Sequence, residues 1–119
     1  MVEKKWINRV FAAIDRKDTD TFVSFLAPSC IFRFGNMPPV QGKEEIESSV
    51  RTFFESLTAL SHTLIDAWDV SDGSVCHGQV VYTRKDGSVL SVPFANVMKG
   101  REASITEYLI FADTSKLYE

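Results

Sequence analysis

The chain has 119 residues, 45% hydrophobic and 24% charged, with a net charge of −3. These values predict a single soluble domain with a real core, and they argue against non-specific binding to nucleic acid or an anionic membrane surface. Nine Phe and two Trp are many for this length and favour a large apolar interior. The charged, amphipathic start "MVEKKWINRV" has no apolar signal region, and no apolar run reaches the ~18 residues of a membrane span, so a cytoplasmic location is the expectation. Cys30 and Cys76, in separate segments, read as reduced thiols rather than as a bridge. The sequence contains no CxxC, HExxH, GxSxG or glycine-rich phosphate loop. The expectation is therefore a protein without cofactor or metal, whose partner is a small hydrophobic molecule.

Trp6, Ile7, Val10, Phe11 and Ile14 recur at helical spacing and predict an amphipathic helix over residues 4–16. "RKD" breaks it. Asp18 or Thr19 then caps a second helix carrying Phe22, Phe25 and Leu26, which Pro28 stops. "CIFRF" reads as a short strand and "GNMPPVQG" as a loop, because Pro38 and Pro39 forbid regular pairing. Residues 43–57 form a third helix, with Glu44 and Glu45 at its positive end and Ile46, Val50, Phe53, Phe54 and Leu57 as its stripe. From residue 59 the period changes to two. "LSHTLIDAWDV", "SVCHGQVVYTR", "VLSVPFANVMK" and "ASITEYLIFAD" are strand-like and are joined at "SDG", "KDG" and "GRE". Helices early and strands late predict an α+β domain over residues 1–119. Three helices pack on a curved, mainly antiparallel sheet, making a cone with an internal pocket.

Asp15 ends the first helical stripe, where the peptide dipoles already make the helix end negative. It lies one turn from Phe11. It reads either as a carboxylate beneath the pocket, orienting an imidazole, or as a locally bonded turn residue. His62 can serve as base and then acid near neutral pH, but its parity partners Leu64, Asp66, Trp68 and Val70 are too mixed to fix which face it occupies. His77 alternates with Gln79, Val81 and Thr83, and either row of that strand can face inward. Asn96 interrupts the apolar run "VPFANVM". It is either a donor to a substrate oxygen or a structural bond, since an unpaired buried amide costs about 1–3 kcal/mol. Trp68 and Tyr108 can line the pocket or belong to the core. Glu107 and Asp113 read as structural. Cys76 and His77 are adjacent in one strand and point to opposite faces, which excludes a Cys–His nucleophile there.

The element order, "AIDRKDTDTFVSFLAPSCIF", "PPVQGKEEI" and the ending "ITEYLIFAD" resemble the SnoaL-like branch of the nuclear-transport-factor-2-like superfamily over nearly the whole chain. The resemblance implies a cone fold and a homodimer, and a superfamily that includes isomerases, cyclases, dehydratases, epoxide hydrolases and non-catalytic binding domains. The polar groups of a ketosteroid isomerase would fall at Phe34, Val10 and Asn96. The strand carboxylate of a limonene-epoxide hydrolase would fall at Ile110. Scytalone dehydratase matches better: its acid–base frame would fall at Asp15, His62, Asn96 and, with a one-residue adjustment, His77. Its two water-orienting tyrosines fall at the apolar Ile14 and Phe34. The resemblance thus implies Asp15, His62, His77 and Asn96 as catalytic residues, within a pocket lined by Phe11, Phe34, Trp68, Phe94, Tyr108 and Ile110. The implied chemistry is cofactor-free acid–base lyase, isomerase or cyclase chemistry on a small oxygenated substrate; the alternative is a non-catalytic ligand-binding or dimerisation domain.

Overall fold

In the first helix, α1 (Lys5–Asp15), the stripe is buried, with Ile7, Val10 and Ala13 fully so. Each fully buried Val, Ile or Phe side chain contributes roughly 1.5–3 kcal/mol, which exceeds what helix propensity alone offers so short a segment. The computed structural model describes residues 5–117. α1 ends in a paired-carbonyl cap: Asp18 N–H donates to Ala13 O at 2.9 Å and Lys17 N–H to Ile14 O at 2.8 Å. Lys17 holds the left-handed position, φ 57°, where glycine is usual. Its Nζ donates to Leu57 O at 2.9 Å, fastening the turn to the start of the long strand.

Asp18 then caps α2 (Thr19–Ser24), accepting from the Thr21 backbone N–H and hydroxyl. These two bonds hold its carboxyl below the usual carboxylate range. The expected second helix runs on through Leu26. In the structure Phe25 closes it and Leu26 already opens β1 (Leu26–Phe34), so Pro28 sits inside a strand rather than behind a helix. It is tolerated there because the register between Leu26 and Ile31 is broken. The proline-rich loop contains a two-residue strand, β2 (Val40–Gln41), and leads into α3 (Lys43–Glu55).

The meander is β3 (Leu57–Val70), β4 (Gly73–Arg84), β5 (Val89–Arg101) and β6 (Ser104–Ala112). β1 joins its far edge, parallel to β6, so the six strands run β2-β1-β6-β5-β4-β3. The fold is the expected α+β cone, with three helices on an unclosed curved sheet. An irregularity in β3 between Leu64 and Asp66 bends the sheet and inserts one residue into the alternation. Gly78 of β4 faces this point. A Cβ there would lie 1.9 Å from Thr63 O, so only glycine lets the two backbones approach this closely. Before the irregularity Leu60, His62 and Leu64 turn to the helices; after it Ala67 does so, and Trp68 is left outside.

Candidate active site

The helices and the concave face of the sheet enclose a cavity of about 1450 Å³. Phe34 from β1, Phe53 from α3, and Val80, Tyr82, Phe94 and Ile110 from β4, β5 and β6 supply apolar wall. The aromatic rings hold one another in edge-on contacts, with centroids of Phe34 and Phe53 4.9 Å apart and of Phe53 and Tyr82 6.0 Å apart. The rim carries Asn36, Met37, Pro38 and Pro39, together with Thr114 and Ser115.

Among the side chains lining the wall are those of His62, Asn96 and Tyr108. Asp15 reaches over from the last turn of α1. Its Oδ1 meets His62 Nδ1 at 2.6 Å, and its Oδ2 accepts from the His62 backbone N–H at 3.0 Å. The carboxylate is therefore committed to β3 rather than to solvent or to its own helix end, which offsets the unfavourable dipole position. A carboxylate only accepts, so Nδ1 carries the proton and Nε2 is the basic nitrogen of the neutral ring. Nε2 has no partner among the described residues. The ring is clamped by Phe11, centroid distance 4.8 Å, and by Phe94 at 5.2 Å edge-on. The pair is largely shielded from water, with side-chain exposures of 11% for His62 and 27% for Asp15.

Asn96 and Tyr108 lie on neighbouring strands and turn the same way. Asn96 Nδ2 donates to the Tyr108 hydroxyl at 3.3 Å, while Asn96 Oδ1 is buried with no partner among the described residues. Tyr108 is packed by Phe22 and Phe32, and burial pushes its phenol well above the ordinary range, so it stays a neutral hydroxyl.

Of the residues singled out in the sequence, Asp15, His62 and Asn96 gather at the cavity, and Phe34, Phe94, Tyr108 and Ile110 line it. Phe11 stands one layer behind, against His62 and Phe94. Phe11 thus falls outside the lining expected for it, and two further expectations are corrected. His77 is on the outer face of the sheet, because its neighbours Cys76 and Gly78 take the buried positions. Trp68 is there as well, 45% exposed, its indole stacked on the His77 ring at 5.6 Å and 6°. Neither reaches the cavity. Sequence reading took Phe53 only as part of the α3 stripe, assigned Tyr82 no role and left the Asn96–Tyr108 contact unseen; alternation outward from Asn96 and from Tyr108 is the signal that places both on one face. Glu107 pairs with Lys99 at 3.4 Å and Asp113 accepts from the Ser115 N–H at 3.0 Å, both of them structural contacts. Among the described residues no three metal-ligating side chains converge, and no helix is long and apolar enough to cross a membrane.

A curled sheet closed by three helices around a pocket defines an NTF2-like cone. The chain belongs to the SnoaL-like domain family, whose model matches residues 7–108. Among solved structures it is similar to a protein from Jannaschia sp. CCS1 described provisionally as a SnoaL-like polyketide cyclase (16% identity, TM-score 0.80, covering 95% of this chain and 86% of that one). It is also similar to an NTF2-like protein of unknown function from Burkholderia pseudomallei K96243 (14% identity, TM-score 0.84, 95% and 92% covered). A third is a protein of ketosteroid isomerase-like fold from Catenulispora acidiphila DSM 44928, solved with trimethylamine (14% identity, TM-score 0.83, 92% and 86% covered). At these identities the likeness is one of fold. No curated protein matches the chain in sequence.

Proposed function

We propose that the cavity binds a small hydrophobic oxygenated molecule and that His62, held by Asp15, moves a proton on it without a cofactor. The observation that carries this reading is the 2.6 Å Asp15–His62 contact beside the cavity, with Nε2 unpartnered among the described residues. Nε2 takes a proton from a carbon next to a carbonyl, or from a hydroxyl, and returns it to the same or another atom. The imidazolium formed in between is stabilised by the Asp15 carboxylate, and Asn96 contacts a substrate oxygen. Such a cycle serves an isomerisation, a dehydration or a ring closure. The provisional cyclase description of the Jannaschia protein is consistent with it.

The test is deuterium incorporation from D₂O into 6-hydroxy-2-tetralone, a ketone with acidic C–H bonds and a phenolic hydroxyl on one skeleton, followed by NMR. A positioned acid–base contributes ~10²–10⁴-fold, so wild type should exchange at least ~100-fold faster than His62→Gln. Asp15→Asn keeps the ring but loses the charge that orients and stabilises it, and should fall by up to ~10⁴-fold. Exchange by wild type no faster than by His62→Gln overturns the reading. A second reading, ligand binding without turnover, is favoured by the apolar Phe34 and Ile110, which line the cavity where other family enzymes are expected to carry polar groups.

A further inference from the structure

The Asn96–Tyr108 pair specifies the polar group of the ligand more narrowly than the acid–base pair does. Asn96 is 2% exposed and Tyr108 is fully buried, yet both are in the cavity lining. The Tyr108 oxygen accepts from Asn96 Nδ2, so its own O–H proton is available for donation. Asn96 Oδ1, which can only accept, has no partner among the described residues. The pair therefore offers one donor and one acceptor side by side. Turning the amide end for end exchanges the roles without changing the offer: Oδ1 then accepts from the tyrosine hydroxyl, and Nδ2 is the free donor beside the tyrosine lone pair.

Burying an amide atom with no partner costs about 1–3 kcal/mol, and a ligand that supplies the missing bond recovers it. A ketone or ether oxygen only accepts and leaves the acceptor of the pair unsatisfied. An amine cation only donates and leaves the hydroxyl proton unsatisfied. A hydroxyl does both from a single atom. We infer that this end of the cavity selects a hydroxyl, phenolic or enolic, on an aromatic or otherwise apolar skeleton, and discriminates against the acceptor-only analogue. Phe34, Phe53, Phe94 and Ile110 of the same wall give the skeleton apolar surface to lie against. The inference rests on the reading of the cavity as a ligand site, and not on proton transfer by His62.

The test compares dissociation constants of 2-naphthol and 2-methoxynaphthalene, which share a skeleton and differ in the donor. Calorimetry or ligand-observed NMR on the full chain reads them. Wild type should bind 2-naphthol at least tenfold more tightly, and Asn96→Leu and Tyr108→Phe should each reduce that ratio to about threefold or less. Tyr108→Phe removes one atom from a packed ring and stays informative if Asn96→Leu fails to fold. Equal affinity in wild type, no binding of either compound, or a tenfold ratio surviving in the folded variants overturns the inference. His62→Gln separates it from the catalytic reading: a retained 2-naphthol preference alongside absent deuterium exchange in wild type would leave the hydroxyl site standing and remove the acid–base function.

Discussion

The chain's two histidines sit on paired neighbouring strands and end in opposite surroundings. His62 faces inward, clamped by two phenylalanine rings and a carboxylate. His77 faces outward, stacked on Trp68 and opposite Asp66 in the register of the two strands. Each lies in a segment of ordinary strand alternation, so nothing local distinguishes them. The difference is made by the register. The irregularity at Leu64/Asp66 turns His62 and Trp68, six residues apart and nominally of equal parity, to different faces. His77 owes its outward face to the unbroken alternation of β4, in which Cys76, Gly78 and Val80 form the buried row.

The contrast breaks most severely at Gly78, which lies beside His77 and opposite Leu64. Gly78→Ala would drive a Cβ into Thr63 O, where backbone rather than a flexible side chain must yield. Overpacking of this kind costs about 3 kcal/mol, read as a fall in Tm on the order of 10 °C. An unchanged Tm would show that the strand approach is not tight.

A smaller effect separates Cys76 from its neighbour His77. Burial pushes the Cys76 thiol from 9.0 up to about 12, and that of Cys30 to about 11. Their folded-state values lie above the unfolded value, so the folded chain holds these protons more tightly. Stability is full below pH 9 and is lost as the pH rises through the window up to about pH 12. In denaturant titrations Cys76→Ala should show a shallower loss between pH 9 and 12 than wild type does. Equal slopes would place the alkaline sensitivity elsewhere, Tyr108 being next, since its phenol shifts in the same direction.

The smallest expected effect is that of His77→Gln. Deuterium exchange should stay within about twofold of wild type, because the side chain does not reach the cavity. An exchange loss comparable to that of His62→Gln would mean that the two faces communicate. If a second copy packs on the outer face, the same variant would instead change the sedimentation behaviour.

Much of the fold is legible from pattern alone. The 3.6-residue stripes of α1 and α3, the two-residue period after residue 59 and the turn signals between strands each report on a local backbone preference, and the structure follows them. The second helix is shorter than its apolar residues imply, because Phe25 and Leu26 are buried equally well as a helix end and a strand start. At the site, residue chemistry singled out Asp15, His62, Asn96 and His77 alike and left open which row of β4 faces inward; the structure brings the first three together at the cavity and turns His77 outward.

What the sequence by itself determined is the order and type of the elements, the apolar content of the cavity, and the small set of side chains able to carry a proton or a hydrogen bond. Those follow from periodicity and residue type, which are local. The tertiary structure alone decided that Asp15 meets His62 across 47 positions of chain, that His77 and Trp68 face outward, and that Asn96 bonds to Tyr108 with one atom to spare. These depend on strand register and on how a helix end docks against a sheet. A single inserted residue reverses the face of every side chain beyond it, and no local preference records where that insertion is accommodated.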